Sequence, residues 1–202
     1  MEIVKINGTS REVVGKAATK RDRHSDSIPC VIYGGNDNVH FTTKLNDVRH
    51  LIYTPDFKMA EITVNGETYN AILKSAQFHP VSEAILHIDF LILTPGRPFK
   101  VEIPLRVVGQ SPGVKGGGKL LQSIRKIKVK VLPENLVSEL SLDISKLELG
   151  QSARVRDIIP VTGVEIMMSP SIPTVSIEIP RALRAAAAAE AKAKLAATPK
   201  KK

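Results

Sequence analysis

The feature that most constrains the fold is a pair of strand-like runs joined by Asn65-Gly66. The runs KMAEITV and ETYNAIL largely alternate polar and apolar residues, which is the pattern of a strand with one buried face. Asn-Gly supplies the two positive φ angles that a two-residue hairpin turn requires. A chain with this hairpin is organised around antiparallel pairing, so the first half is predicted to be β structure.

Similar short runs recur along the rest of the chain, separated by glycine and proline. They are EIVKING, which Asn7-Gly8 is expected to break, and then IPCVIY, AILHIDFLIL, FKVEIPLRVVG, SIRKIKVKVL, ELSLDIS, SARVRDI and TVSIEI. One segment, LNDVRHLIYTP, instead predicts a short helix that Asn46 or Asp47 caps and that ends before Pro55. Many short strands between such turns predict a mainly β protein, a sandwich or barrel rather than a βαβ fold.

Composition divides the chain into three segments. TPGRP at 94–98 is the predicted boundary between a first domain, 1–93, and a second β-rich, sandwich-like domain, 94–180. Residues 181–202 form an Ala/Lys-rich tail that is predicted to be helical from about Arg181 to Pro199, or disordered, because it has no apolar stripe to dock.

The cysteine count and hydropathy point to a cytoplasmic protein. Cys30 is the only cysteine, which excludes a disulfide framework. No run approaches the ~18 apolar residues of a membrane span, and the opening residues do not resemble a secretory signal. We therefore expect no membrane partner.

The charge is uneven along the chain. The net charge is +9, but residues 1–93 hold 10 Lys or Arg against 11 acidic residues, and the tail holds 7 against 1. Within the near-neutral first half, cations cluster at Arg11, Lys16, Lys20, Arg21 and Arg23, with small residues between them. We expect a loop here. From the residues alone, it is either a solvated cationic loop or a site that lies along an RNA backbone.

Two further motifs suggest other chemistry. Gly113, Gly118 and Lys119 match part of a phosphate-binding loop, but Leu120 replaces the required Ser or Thr and a strand follows instead of a helix, so a flexible loop is expected.

His79, His87 and Asp89 could form a metal-binding triad. The simpler interpretation is a hydrogen bond between His87 and Asp89 on a polar strand face, with the other imidazole nitrogen left for a partner. On SIRKIKVKVL, the alternation places Lys126, Lys128 and Lys130 on one exposed strand face.

Three long phrases resemble the CTC family of bacterial large-subunit ribosomal proteins in its two-domain form. They are REVVGKAATKRDRHSDSIPCVIYGG, ILKSAQFHPVSEAILHIDF, and the stretch from VEIPLRVVG to SARVRDI. The resemblance implies an N-terminal β-barrel with a few short helices and a β-rich second domain. It also implies binding to the minor-groove side of 5S rRNA in the central protuberance, near other rRNA and ribosomal proteins.

The resemblance further implies which residues contact RNA. The expected contacts are Arg11, Lys16, Lys20, Arg21, Arg23, Tyr33, Lys74, Gln77, His79, His87 and Asp89. The chain is then a non-enzymatic ribosomal protein without metal or cofactor, which binds RNA through the basic loop and a polar sheet face. Two alternatives stay open: a metal-dependent enzyme that uses His79, His87 and Asp89, and a stress adaptor that works off the ribosome.

Overall fold

The computed structural model describes residues 1–35 and 37–181. Within them the chain is mainly β, as predicted. The strands are β1 (Ile3–Ser10), β2 (Ser27–Tyr33), β3 (Val39–Lys44), β4 (Met59–Val64), β5 (Glu67–Phe78), β6 (Ile85–Ile92), β7 (Phe99–Val108), β8 (Lys119–Gln122), β9 (Lys126–Val131), β10 (Leu140–Asp143), β11 (Ser152–Arg154), β12 (Val164–Ile166) and β13 (Pro173–Glu178). The helices are α1 (Lys16–His24), α2 (Leu45–Ile52) and α3 (Pro112–Lys115), with single 3-10 turns at Pro133–Asn135 and Val155–Asp157.

The first six strands form a closed barrel in the order β1-β3-β2-β6-β5-β4. Parallel pairing of β1 with β4 closes it, and β2 and β6 are also parallel. Inward-facing aliphatic side chains fill the interior around Phe41 and Phe90, whose ring centroids lie 5.9 Å apart. The barrel implied by the family resemblance is therefore confirmed.

The hairpin predicted at Asn65-Gly66 is confirmed. β4 and β5 are antiparallel, with Val64 opposite Glu67 directly across the turn. The φ angles are 52° at Asn65 and 88° at Gly66, as the tight turn requires.

The predicted break at Asn7-Gly8 is wrong, because β1 continues through both residues to Ser10. Gly8 marks a close approach instead of a turn. A Cβ built there would lie 2.5 Å from Cδ2 of Phe41 and 3.0 Å from Cγ2 of Val64. Glycine is thus the residue that lets the core phenylalanine pack against the wall of the barrel.

The loop predicted for the cationic cluster is also wrong, because residues 16–24 form helix α1. Gly15, at φ 137°, turns the chain into the helix, and the segment that follows is rich in good helix formers. Ala18 is the residue that α1 buries. Cations in the last turn also interact favourably with the helix dipole.

Helix α2 forms where it was predicted, but its cap differs. The N-cap residue is Lys44, which makes no side-chain capping hydrogen bond, and Asp47 lies within the first turn. Val48 and Leu51 join the barrel core, so packing holds this helix without a cap. In residues 1–35 and 37–181, no helix has the length and apolar character needed to cross a bilayer.

The remaining strands form a four-stranded sheet, β10-β7-β9-β12, and a three-stranded sheet, β11-β13-β8. The alternation predicted for β9 is confirmed: Lys126, Lys128 and Lys130 are exposed, and the apolar residues between them are buried. β12, which is three residues long, is not among the predicted strands.

The glycine-rich segment is packed, which contradicts the flexible loop expected there. Ser111 caps α3 by accepting hydrogen bonds from the backbone N–H groups of Gly113 and Val114. A Cβ on Gly113 would lie 2.6 Å from the backbone carbon of Glu148. Gly113 therefore serves the packing of two backbone segments.

Two compact units are present. Among the described residues, one comprises 1–104, 128–139 and 162–166, and the other comprises 105–127, 140–161 and 167–181. The division into domains 1–93 and 94–180 stays a prediction. The tail predicted to be helical lies, beyond Arg181, outside the described residues.

The close approach at Gly8 gives the first testable prediction. Gly8→Ala should lower the free energy of unfolding by about 1–3 kcal/mol, because the new methyl group overlaps the Phe41 ring. Urea unfolding followed by circular dichroism measures the change. Lys5→Ala, at an exposed position on the same strand, should change it by less than about 0.5 kcal/mol. Equal stability of the Gly8→Ala and wild-type proteins would contradict the packing role.

Candidate nucleic-acid interface

Helix α1 arranges its cations in an ordered way. Lys16, Lys20 and Arg23 follow one another at helical spacings of four and three residues, so they lie along one face, and all three are exposed. Arg21 is exposed on a different side of the helix. The folded chain therefore presents three of the predicted RNA-contact cations as a single row.

Arg23 attaches the end of this row to strand β6. Its Nε and Nη2 atoms donate to the Leu86 carbonyl oxygen at 3.1 and 2.8 Å. The β5–β6 register pairs Gln77 with His87 and Phe78 with Ile85, so Leu86 is the extra residue of a β-bulge. The guanidinium satisfies the bulge carbonyl, and it thereby fixes the last turn of α1 next to His87.

The outer face of β5 and β6 carries a short polar network. The Nδ1 atom of His87 lies 2.8 Å from Oδ1 of Asp89, which confirms the hydrogen bond predicted between them. The Ser75 hydroxyl donates to the other carboxylate oxygen, Oδ2. Since Nδ1 of His87 is engaged, Nε2 is the ring nitrogen left for a partner. Gln77, opposite His87 on β5, is exposed beside it.

Tyr33 ends β2, the parallel neighbour of β6, where it lies opposite Leu91. Burial, and to a smaller degree the Asp89 carboxylate, raises the pKa of Tyr33 above its ordinary value. The phenol is therefore protonated at neutral pH and keeps a hydroxyl donor. The β2–β6 register pairs Val31 with Asp89, and Tyr33 follows Val31 by two residues on the same strand face, so Tyr33 is a diagonal neighbour of the polar network.

Arg11 faces inward, unlike the other cations of the cluster. Its Nη2 atom lies 2.8 Å from Oδ2 of Asp22 and donates to the Thr19 hydroxyl at 3.2 Å. Only 10% of the Arg11 side chain is exposed. The ion pair thus connects the end of β1 to helix α1, and the guanidinium has little surface left for a phosphate.

Cys30 lies beneath these groups and is not a nucleophile. Burial raises the pKa of the thiol strongly, Arg11 acts against the rise and Asp89 adds to it. The thiol therefore stays protonated at neutral pH.

Lys74 and His79 are held by backbone groups. Lys74 is the extra residue of a second bulge, between Leu73 and Ser75, and its Nζ donates to the Lys100 carbonyl oxygen at 2.9 Å. His79 Nδ1 accepts from the backbone N–H groups of Val81 and Ser82 at 3.3 and 3.2 Å.

His79 is therefore part of its own turn and does not converge with His87 and Asp89. Across residues 1–35 and 37–181, no three His, Cys, Asp or Glu side chains are arranged to hold a metal ion. The proposed metal triad is not assembled in this part of the chain.

Two residues of this site, Ser75 and Asp22, are not among the predicted site residues. Ser75 meets Asp89 because the β5 bulge shifts the register, and the sequence gives no local sign of a bulge. Asp22 stands out only as the acidic residue inside a basic run. Its spacing of three residues from Thr19 becomes informative only when the segment is helical.

Proximity of Tyr33 and Asp89 gives a second prediction. Asp89→Asn should lower the pKa of Tyr33, because a neighbouring carboxylate disfavours the phenolate and its removal makes ionisation easier. Ultraviolet absorbance titration measures it in a background with Tyr53→Phe and Tyr69→Phe. Glu61→Gln, on the strand opposite β2 in the barrel, should leave the pKa of Tyr33 unchanged. An unchanged pKa in Asp89→Asn would mean that the two groups are not neighbours.

Two protein families match the chain, one in its first half and one in its second half. The Ribosomal L25p family matches residues 6–90, and the family described as Ribosomal protein TL5, C-terminal domain, matches residues 98–181. Several relatives carry the name large ribosomal subunit protein bL25. The protein of Bacteroides fragilis is 36% identical over 95% of this chain and 100% of its own length. That of Porphyromonas gingivalis is 40% identical over 93% and 98%, and that of Amoebophilus asiaticus is 40% identical over 96% and 99%.

These matches cover both halves of the chain and confirm the resemblance carried by its three long phrases. The chain belongs to the bL25, or CTC, family of large ribosomal subunit proteins.

Proposed function

We propose that this chain is a structural constituent of the large ribosomal subunit that binds 5S rRNA in the central protuberance. Its relatives' names support the ribosomal role. The observation that carries the RNA-binding proposal is the bond from Arg23 to the Leu86 carbonyl, which joins the row of cations to the polar face of the barrel. Phosphates and base or ribose groups can then be contacted from one side.

The cationic row would set the position of the RNA. Residues 1–93 are nearly neutral in total, but phosphates respond to charge within a Debye length of about 8–10 Å. Lys16, Lys20 and Arg23 concentrate positive charge on one helix face, with each cation less than a Debye length along the axis from the next. Arg21 would contact a phosphate at the side of the row.

The polar face would read the shape of the RNA. The minor groove of an RNA helix is wide and shallow and displays 2′-hydroxyls and base edges, which a flat sheet can reach. Nε2 of His87, the hydroxyl of Tyr33 and the amide of Gln77 are suitable partners. The role of Asp89 is to orient His87, because both its oxygens already accept hydrogen bonds within the protein. Its negative charge is thereby partly offset.

The remaining expected contacts have more limited roles. Lys74 and His79 are proposed as contacts at the margin, since backbone groups hold them in place. Arg11 is proposed to act inside the protein rather than on a phosphate. The chain as a whole is also proposed to meet neighbouring rRNA and ribosomal proteins of the large subunit, as the name of its relatives implies.

Enzymatic function is excluded by family membership, because the family consists of ribosomal structural proteins. The alternative of a metal-dependent enzyme is therefore wrong. Its relatives' ribosomal role also gives the chain its proposed location, the cytoplasmic ribosome.

The salt dependence of RNA binding tests the cationic row. The Lys16→Gln and Lys20→Gln double variant should bind 5S rRNA more weakly, and the slope of log K against log salt should fall by roughly one unit per lost phosphate contact. Filter binding over a range of salt concentrations measures both. Lys5→Gln is a matched control, because β1 lies on the wall of the barrel opposite β6. An unchanged slope in the double variant would contradict the proposal.

Sedimentation separates the ribosomal role from that of an adaptor that works off the ribosome. A constituent of the large subunit should co-sediment with it in a sucrose gradient at about one copy per subunit, and it should stay bound through repeated washing at moderate salt. A protein found mainly at the top of the gradient under both growth and stress conditions would favour the adaptor.

A further inference from the structure

We infer that Asp22, a negatively charged residue inside the basic helix, strengthens RNA binding by holding α1 in place through Arg11. This inference rests on the proposed function. It assigns Asp22 as a positioning residue of the interface, which acts on the cationic row without touching the RNA.

Arg11 is a rigid anchor on the barrel. Its backbone N–H donates to the carbonyl oxygen of His40 on β3 at 2.9 Å, which extends the β1–β3 pairing by one residue. From there the side chain reaches α1, where Nη2 lies 2.8 Å from Asp22 and 3.2 Å from Thr19. Thr19 in turn donates to the Gly15 carbonyl at 2.8 Å, at the start of the helix. One guanidinium thereby connects the end of β1 to Thr19 near the start of α1 and to Asp22 in its last turn.

The helix has few other attachments. It is nine residues long, a length at which an isolated helix in water is unstable, and Ala18 is the residue it buries. Its other anchor is Arg23 on the Leu86 carbonyl, one residue after Asp22 in the last turn, so the contact of Arg11 with Thr19 is the polar attachment nearer the start of the helix. Without Arg11, the hydrogen bond that attaches Thr19, next to Lys20 in the helix, to the end of β1 is lost.

Asp22 is what holds the Arg11 side chain in this position. Its Oδ2 atom is buried and makes no conventional hydrogen bond, so its partner is the Arg11 guanidinium. Only 10% of the Arg11 side chain is exposed. Removing the carboxylate leaves that guanidinium without its counterion in a poorly hydrated position, from which it would have to move.

The sign of the effect distinguishes this inference from simple electrostatics. An acidic residue within a cationic RNA-binding helix should repel phosphates, so its neutralisation is ordinarily expected to strengthen binding. If the Arg11–Asp22 ion pair holds the helix, neutralising Asp22 should weaken RNA binding. Neutralising an exposed acidic residue close by should leave binding unchanged or strengthen it. Glu12 and Asp26 are such residues, one on each side of α1.

The test compares full-length variants for binding to in vitro transcribed 5S rRNA, at a temperature well below unfolding. Asp22→Asn should bind about tenfold more weakly, because the phosphate contacts of the row lose their fixed geometry. Asp22→Glu, which keeps the charge, should recover most of the affinity. Glu12→Gln and Asp26→Asn should bind as tightly as wild type or more tightly. Equal or tighter binding by Asp22→Asn would overturn the inference.

A double-mutant cycle adds an independent readout. If Arg11 and Asp22 act as a unit, Arg11→Gln combined with Asp22→Asn should lose no more affinity than the worse single variant. Additive losses would mean that Arg11 contacts RNA directly, and they would overturn the inference. Hydrogen exchange of the free protein should show faster exchange of the α1 amides in Asp22→Asn, with the amides of β2 and β6 unchanged. Unchanged α1 exchange would also overturn it, whereas failure of the wild-type protein to bind 5S rRNA would overturn the proposed function.

Discussion

The parallel pairing of β1 with β4 is the interaction on which the N-terminal half depends. It runs over six consecutive residue pairs, from Ile3–Met59 to Gly8–Val64, and it converts a curved sheet into a closed barrel without free edges. Closure encloses the phenylalanine-centred core and makes β2, β5 and β6 a rigid wall. A polar network on a rigid wall keeps its geometry before any partner arrives, which lowers the entropy cost of binding.

Two arginines with different partners attach helix α1 to the barrel. Arg11 pairs with a carboxylate of the helix, and Arg23 bonds to a carbonyl of the wall. Both satisfy groups that would otherwise lack partners, the buried oxygen of Asp22 and the bulge carbonyl of Leu86. Some cations of this cluster therefore attach the helix to the barrel, and others are exposed to solvent. Residue type alone does not distinguish the two groups.

The sequence predicts what depends on local pattern. The turn at Asn65-Gly66, the alternation of β9 and the His87–Asp89 pair are all visible at spacings of a few residues. The break predicted at Gly8 is wrong because the close approach to Phe41 involves a residue 33 positions away, and glycine occurs both in turns and next to aromatic rings. The bulges of β5 and β6 depend on a register between strands, which leaves no local mark.

Attachment of α1 through inward-facing groups has a consequence for how such an interface can change. Lys16 and Lys20 contribute little to holding the helix, so exchange among lysine, arginine and glutamine there leaves the scaffold almost untouched. Affinity for a polyanion can then drift in small steps while the barrel keeps its shape. A substitution at Asp22 would be felt at several of those positions at once.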